Sequence, residues 1–184
     1  MAKKSPSRLS FNIAFCGIIC AISVVTMFGS IIPAFAYAVP AVAGIFLWTI
    51  SEQINIKWAY LSYAAVGFLS FILVPEIEAN CFFISLFGYY PILCENLKKI
   101  KNKIVRYIIK LVVFNVTAVI TYNILCVILS ADKMLEGMEE FGQYAVYVLW
   151  GLGLIAFIIY DLFLDVMKEM YIKVIKPKFN KLIK

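Results

Sequence analysis

The sequence predicts an all-α fold: a polytopic bundle of six transmembrane helices, with N- and C-termini cytoplasmic. Three observations predict it. The chain is 64% hydrophobic and 15% charged, whereas a soluble domain is about half apolar and a quarter charged. Its mean hydropathy is +0.92. Its basic residues gather in alternate connections between long apolar runs. There is too little charge to cover a water-facing surface. The net charge of +6 therefore bears on topology and gives no argument for nucleic acid.

No charge occurs between Arg8 and Glu52. About 20 residues cross the hydrocarbon core, so this run holds two helices. Gly29, Pro33 and Pro40 break it near the middle. The first helix is placed at 9–32 and the second at 36–51, short enough to tilt or to begin below the interface. The third, 58–74, is stopped by Pro75. The fourth, 79–94, carries Pro91 in its last turn. The fifth covers 105–131 and the sixth 144–165. The whole of 1–184 reads as one transmembrane domain, with 166–184 as a basic amphipathic cytoplasmic tail. In that tail Lys173, Lys176, Lys178 and Lys181 interleave with Val174, Ile175, Phe179 and Leu182. Such a segment either lies on the anionic inner leaflet or is a solvated tail that only enforces topology.

With the N-terminus inside, all of the 17 basic residues except Lys133 fall on inner segments. The outer loops hold Glu76, Glu78, Asp132, Glu136, Glu139 and Glu140. Lysine and arginine resist translocation, and six spans is the count at which every loop obeys. The expected location is the plasma (cytoplasmic) membrane. Ala34-Phe-Ala36 has the form of a signal-peptidase site. A leader's apolar region is about 7–15 residues long, however, and the run before this site is longer. The segment is therefore expected to be a retained bend between two helices.

The chain has five cysteines and no histidine. No cysteine pair has C-x-x-C spacing, so no metal site is expected. Neither a Ser-His nor a Cys-His pair nor a P-loop is present. No catalytic residue and no cofactor are expected, and the chain reads as a non-enzyme. Asp161 and Asp165 are four apart and share a helical face, with Lys168 in reach of Asp165.

Two groups of residues remain. On the first helix Ser10, Ala14, Gly17 and Ala21 form a stripe of small residues. Lipid provides no hydrophobic drive for helix association, so such a stripe marks close packing, on another helix of the chain or on another protein. Towards the outer half of the later helices lie Asn80, Tyr122, Asn123, Tyr147 and Trp150. Aromatic faces with a few amides suit a small flat or amphipathic ligand. The alternative is the interfacial aromatic belt, preferred for Tyr37 and Tyr144.

The basic N-terminus, the six helices, the stripe on the first helix and the segment Tyr37-Ala-Val-Pro40-Ala-Val-Ala-Gly44 together resemble the S components of energy-coupling-factor (ECF) vitamin transporters. The resemblance implies capture of a small vitamin-like molecule from outside. It also implies docking of Ser10, Ala14, Gly17 and Ala21 on a membrane coupling subunit, and uptake driven by cytosolic ATPases. It assigns the ligand to the region of Asn80, Tyr122, Asn123, Tyr147 and Trp150. The chain departs from that pattern at Glu52-Gln-Ile-Asn-Ile-Lys57, where those proteins have a glycine-proline turn, and in its basic connection 98–106. Phe87-Gly-Tyr-Tyr-Pro-Ile-Leu93 matches no ligand motif. The competing expectation is a non-catalytic membrane assembly or regulatory protein that acts through its basic cytoplasmic face.

Overall fold

A computed structural model describes residues 6–129 and 144–177. Among these residues every regular element is helical. The chain divides into two compact units, Met1–Ile128 and Leu129–Lys184. The expected outer loop with Asp132, Lys133, Glu136, Glu139 and Glu140 lies outside the described residues. So do Lys3 and Lys4, and the tail from Lys178 to Lys184.

Helix α1, Pro6–Met27, opens on proline, which costs little where the N–H would have no helical partner. Its end is set by Pro33. A residue before proline is pushed out of helical conformation, and Ile32 is extended at φ −85°, ψ 114°. The chain crosses this bend in two short 3-10 turns, Phe28–Ile31 and Pro33–Phe35. Helix α2 follows at Ala38–Gln53, with Pro40 tolerated in its first turn. Helix α3, Ile56–Leu73, starts at Asn55, whose side chain accepts hydrogen bonds from the backbone N–H of Lys57 (2.8 Å) and Trp58 (3.2 Å). It ends because Val74 precedes Pro75 and is extended.

The expected fourth helix is one span with a defect in its middle. Helix α4, Ile77–Phe82, passes into a π-helical turn, Phe83–Phe87, and then into α5, Tyr90–Leu97. Gly88 N–H reaches back five residues to the Phe83 carbonyl at 2.8 Å, as a π turn requires. The Tyr63 hydroxyl of α3 donates to the Ile84 carbonyl within that turn. Helix α6 is Lys103–Leu129. Helix α7, Ala145–Met170, runs into a second π turn, Tyr171–Ile175, past the expected end at residue 165.

Among the described residues five helical segments are long and apolar enough to cross a membrane: Arg8–Ile31, Ile56–Leu73, Ile77–Leu97, Lys103–Ile128 and Ala145–Val174. The chain is thus an all-helical protein with the character of a membrane protein. The exception is α2. Its 16 residues span about 24 Å at 1.5 Å per residue, against a core of about 30 Å. It is instead buried against α1, α3 and the α4–α5 segment within the first unit. Ala43, Leu47 and Ile50 are fully buried, and Trp48 nearly so.

Side-chain contacts fix the directions within the first unit. Ser23 of α1 donates to the Ala43 carbonyl (3.4 Å), and Val39 lies beside Gly29, so α1 and α2 are antiparallel. Tyr37 meets Glu78 and Phe82, Gly44 meets Phe87, and Trp48 meets Glu95. Helix α2 therefore runs parallel to the α4–α5 span along its length. Tyr63 meets Ile84 and Tyr60 meets Asn96, so α3 is antiparallel to that span. The turns at 54–55 and 98–102 come to one end of the unit, and those at 28–37 and 74–76 to the other.

Candidate ligand site and docking face

Helices α1, α2 and α3 close on one another through small residues. Cys16 and Ser23 on α1, Ala43 and Gly44 on α2, and Ala59, Ser62 and Ser70 on α3 are all buried. Helix α2 also approaches the π turn closely, at Gly44. A Cβ placed there would stand 1.9 Å from the Phe87 carbonyl oxygen and 2.9 Å from its carbon. The cause lies in the sequence. Pro91, four residues after Phe87, has no N–H to offer that carbonyl, and the π turn directs it at α2. Only glycine leaves room. The two segments that stood out in the sequence, Tyr37 to Gly44 and Phe87 to Leu93, are packed against each other here.

The small residues that pack α1 are not the predicted stripe. Ser10, Ala14, Gly17 and Ala21 are all exposed, and a Cβ at Gly17 would meet nothing within 4 Å. The face that α1 buries carries Asn12, Cys16, Ser23, Val24 and Met27. Both faces hold small residues at helical spacing, so spacing alone could not tell which one the chain itself uses.

The five predicted ligand residues fall in different settings. Asn80 is 1% exposed. Its amide N–H donates to the Val74 carbonyl at 2.9 Å, bracing the end of α3, while its Oδ1 has no partner among the described residues. Asn123 is exposed and donates to the Val119 carbonyl of its own helix at 2.7 Å. Tyr122 beside it is half-buried. No hydrogen bond or ring contact joins Asn80 to either of them. Tyr147 and Trp150 are exposed on α7, in the second unit.

Aromatic residues of the bend and of the α4–α5 segment pack on one another. Tyr37 and Phe82 pack edge to face at 5.2 Å, and Phe82 faces Phe87 at 6.4 Å. Tyr37 also donates to Glu78 at 3.4 Å. An aromatic at Tyr37 was expected to belong to an interfacial belt; in the fold it also ties the bend to α4. A groove of about 250 Å³ lies elsewhere, between α3 and the π turn. It is lined by Tyr63, Ala64, Gly67, Phe68, Phe71 and Ile84, is almost wholly apolar, and includes none of the predicted ligand residues.

Sequence reasoning missed the polar lock at the opposite end. Trp48 indole N–H donates to Glu95 at 3.0 Å, and Glu95 also holds Lys98 at 2.9 Å. A hydrogen bond to a charged group contributes roughly 1.5–3 kcal/mol. The partners are 47 residues apart, and nothing local announces them.

In α7, Asp161 and Lys168 are buried while Asp165 is exposed. Seven residues return almost to the same face of a helix, so Asp161, Leu164 and Lys168 share one stripe. The expected Asp165–Lys168 pair is not formed. Among the described residues no group of three His, Cys, Asp or Glu side chains is placed to hold a metal ion.

No family model, curated protein or solved structure matches the chain.

Proposed function

We propose that the chain is an integral substrate-binding subunit of the plasma membrane. It captures a small vitamin-like molecule and passes it on through a membrane coupling subunit driven by cytosolic ATPases. One observation carries the reading. The stripe Ser10, Ala14, Gly17 and Ala21 is exposed, while α1 packs within the chain by its other face. In lipid a smooth face of small residues has its use in close approach by another helix.

In this reading α2 is the sixth span, shielded from lipid by its neighbours and therefore free to be short. Both termini lie inside, with Arg8, Lys57 and the basic turn after Leu97. The ligand enters from the opposite end. There Tyr37, Phe82 and Phe87 offer aromatic faces that suit a flat molecule, and the buried Asn80 Oδ1 on the same span is a candidate acceptor. Contributions from Tyr122 and Asn123 of the same unit are part of the proposal.

The test has two arms. Native mass spectrometry of the purified protein is expected to find a retained small molecule, reduced in Asn80→Leu. Affinity purification from its own cells is expected to recover a coupling subunit with ATPases, and Ala21→Trp is expected to lose them while the bundle stays folded. A protein that carries no molecule and recovers no ATPase contradicts the reading.

A further inference from the structure

We infer that the turn between α5 and α6, with the first turns of α6, is a binding site for the headgroup of an anionic phospholipid. The inference rests on the chain crossing a membrane and is independent of the transport reading.

The turn spans 98–102, between a segment that ends at Leu97 and one that begins at Lys103, both long and apolar enough to cross a membrane. Five residues reach at most about 18 Å, and backbone hydrogen bonds from Lys98, Lys99 and Ile100 to Cys94, Asn96 and Leu97 draw the start of the turn in further. The turn is therefore held at the depth of the headgroups. It carries Lys98, Lys99 and Lys101, and α6 adds Lys103 and Arg106. Lys98 is matched by Glu95. No carboxylate among the described residues pairs with Lys99, Lys101, Lys103 or Arg106.

A second feature adds to this. The first turn of α6 holds no acidic residue, and Lys103 and Arg106 sit at the positive end of the helix dipole, where an anion is favoured. The side chain of Asn102 accepts from Ile104 N–H at 3.0 Å, but it brings no charge. Positive charge is thus concentrated with nothing described in the chain to balance it.

The surface below selects a lipid over a soluble partner. Lys103, Arg106 and Tyr107 share one face of α6. Lys103 is exposed, Arg106 half-buried and Tyr107 exposed. Lys110, next on that face, is buried with its ammonium 5.5 Å from the Tyr107 ring centre, so the cationic surface ends there. On the next face Ile104, Ile108 and Val112 are exposed and apolar. They carry the surface about 13 Å along the helix from Lys103. A phosphodiester seated on Lys101, Lys103 and Arg106 places its acyl chains along that stripe. An acidic soluble protein has nothing to lay there.

The test uses the full chain in nanodiscs of phosphatidylglycerol or phosphatidylcholine, with retained lipid counted by native mass spectrometry after transfer to detergent. Phosphatidylglycerol is expected to be retained and phosphatidylcholine not. The double variant Lys103→Gln/Arg106→Gln is expected to weaken retention by about fivefold for each cation removed. Lys103→Arg/Arg106→Lys is expected to retain the lipid, which separates charge from folding. Lys173→Gln, at an exposed cation of the second unit, is expected to change nothing. Equal retention of both lipids, or equal loss in Lys173→Gln, overturns the site in favour of diffuse attraction. Competition by free glycerol phosphate at the lipid's own affinity overturns it in favour of a small-anion site. Displacement by a soluble glutamate-rich peptide overturns it in favour of protein docking.

Discussion

Gly44 is the position where a single atom decides the packing. A Cβ there would overlap the Phe87 carbonyl oxygen. Relief requires α2 to move away from the α4–α5 span, and both elements are buried. Gly44→Ala is expected to cost more than about 3 kcal/mol, read as loss of the monodisperse species or a large fall in Tm in detergent. Gly17→Ala makes the opposite case on α1. Nothing lies within 4 Å of the new Cβ, and alanine favours the helix by up to about 1 kcal/mol over glycine. The Tm is expected to hold or rise. The sequence marks both as glycines in small-residue surroundings, but the two differ in partner. The oxygen that constrains Gly44 belongs to a residue 43 positions later, directed there by a π turn that no local signal predicts. Asn80 was legible as a polar residue in an apolar span, and such a residue needs a partner. The partner, the Val74 carbonyl at the end of α3, was not.

At the scale of elements, spans were legible and defects within them were not. Long apolar runs announced helices because hydropathy is local, although the first helix, expected to reach residue 32, ends at Met27. The π turn at Phe83–Phe87 depends on a hydroxyl from α3 and a proline eight residues after its first residue. Tyr63→Phe removes the donor to the Ile84 carbonyl while keeping the ring contacts with Phe83 and Tyr89. It is expected to cost about 1 kcal/mol, the net worth of one hydrogen bond, seen as a modest fall in Tm. The face of α1 belongs to the same scale. Helical spacing identified Ser10, Ala14, Gly17 and Ala21 as a packing stripe, yet α1 carries a second small-residue stripe that the chain itself uses.

For the whole molecule, the account is that hydrocarbon is the solvent around the bundle. Polar side chains on the exposed helices behave accordingly. Asn115 and Asn123 return their amides to carbonyls of their own helix at 2.7 Å, and Thr117 does so with its hydroxyl. That leaves fewer donors facing lipid. Large apolar side chains such as Val127, Ile104 and Phe68 are well exposed, as lipid-facing residues are. Composition alone made this legible. What composition could not give is the buried position of α2, because a short apolar helix reads alike whether lipid or protein covers it. The most direct measurement of the central claim is side-specific labelling in a cysteine-free background. Lys57→Cys, Glu76→Cys and Lys101→Cys would each be treated with a membrane-impermeant maleimide, in right-side-out and inverted vesicles. Six spans with basic turns inside predict that Lys57→Cys and Lys101→Cys react only in inverted vesicles and Glu76→Cys only in right-side-out ones. Reaction of Lys101→Cys from the same side as Glu76→Cys would contradict it.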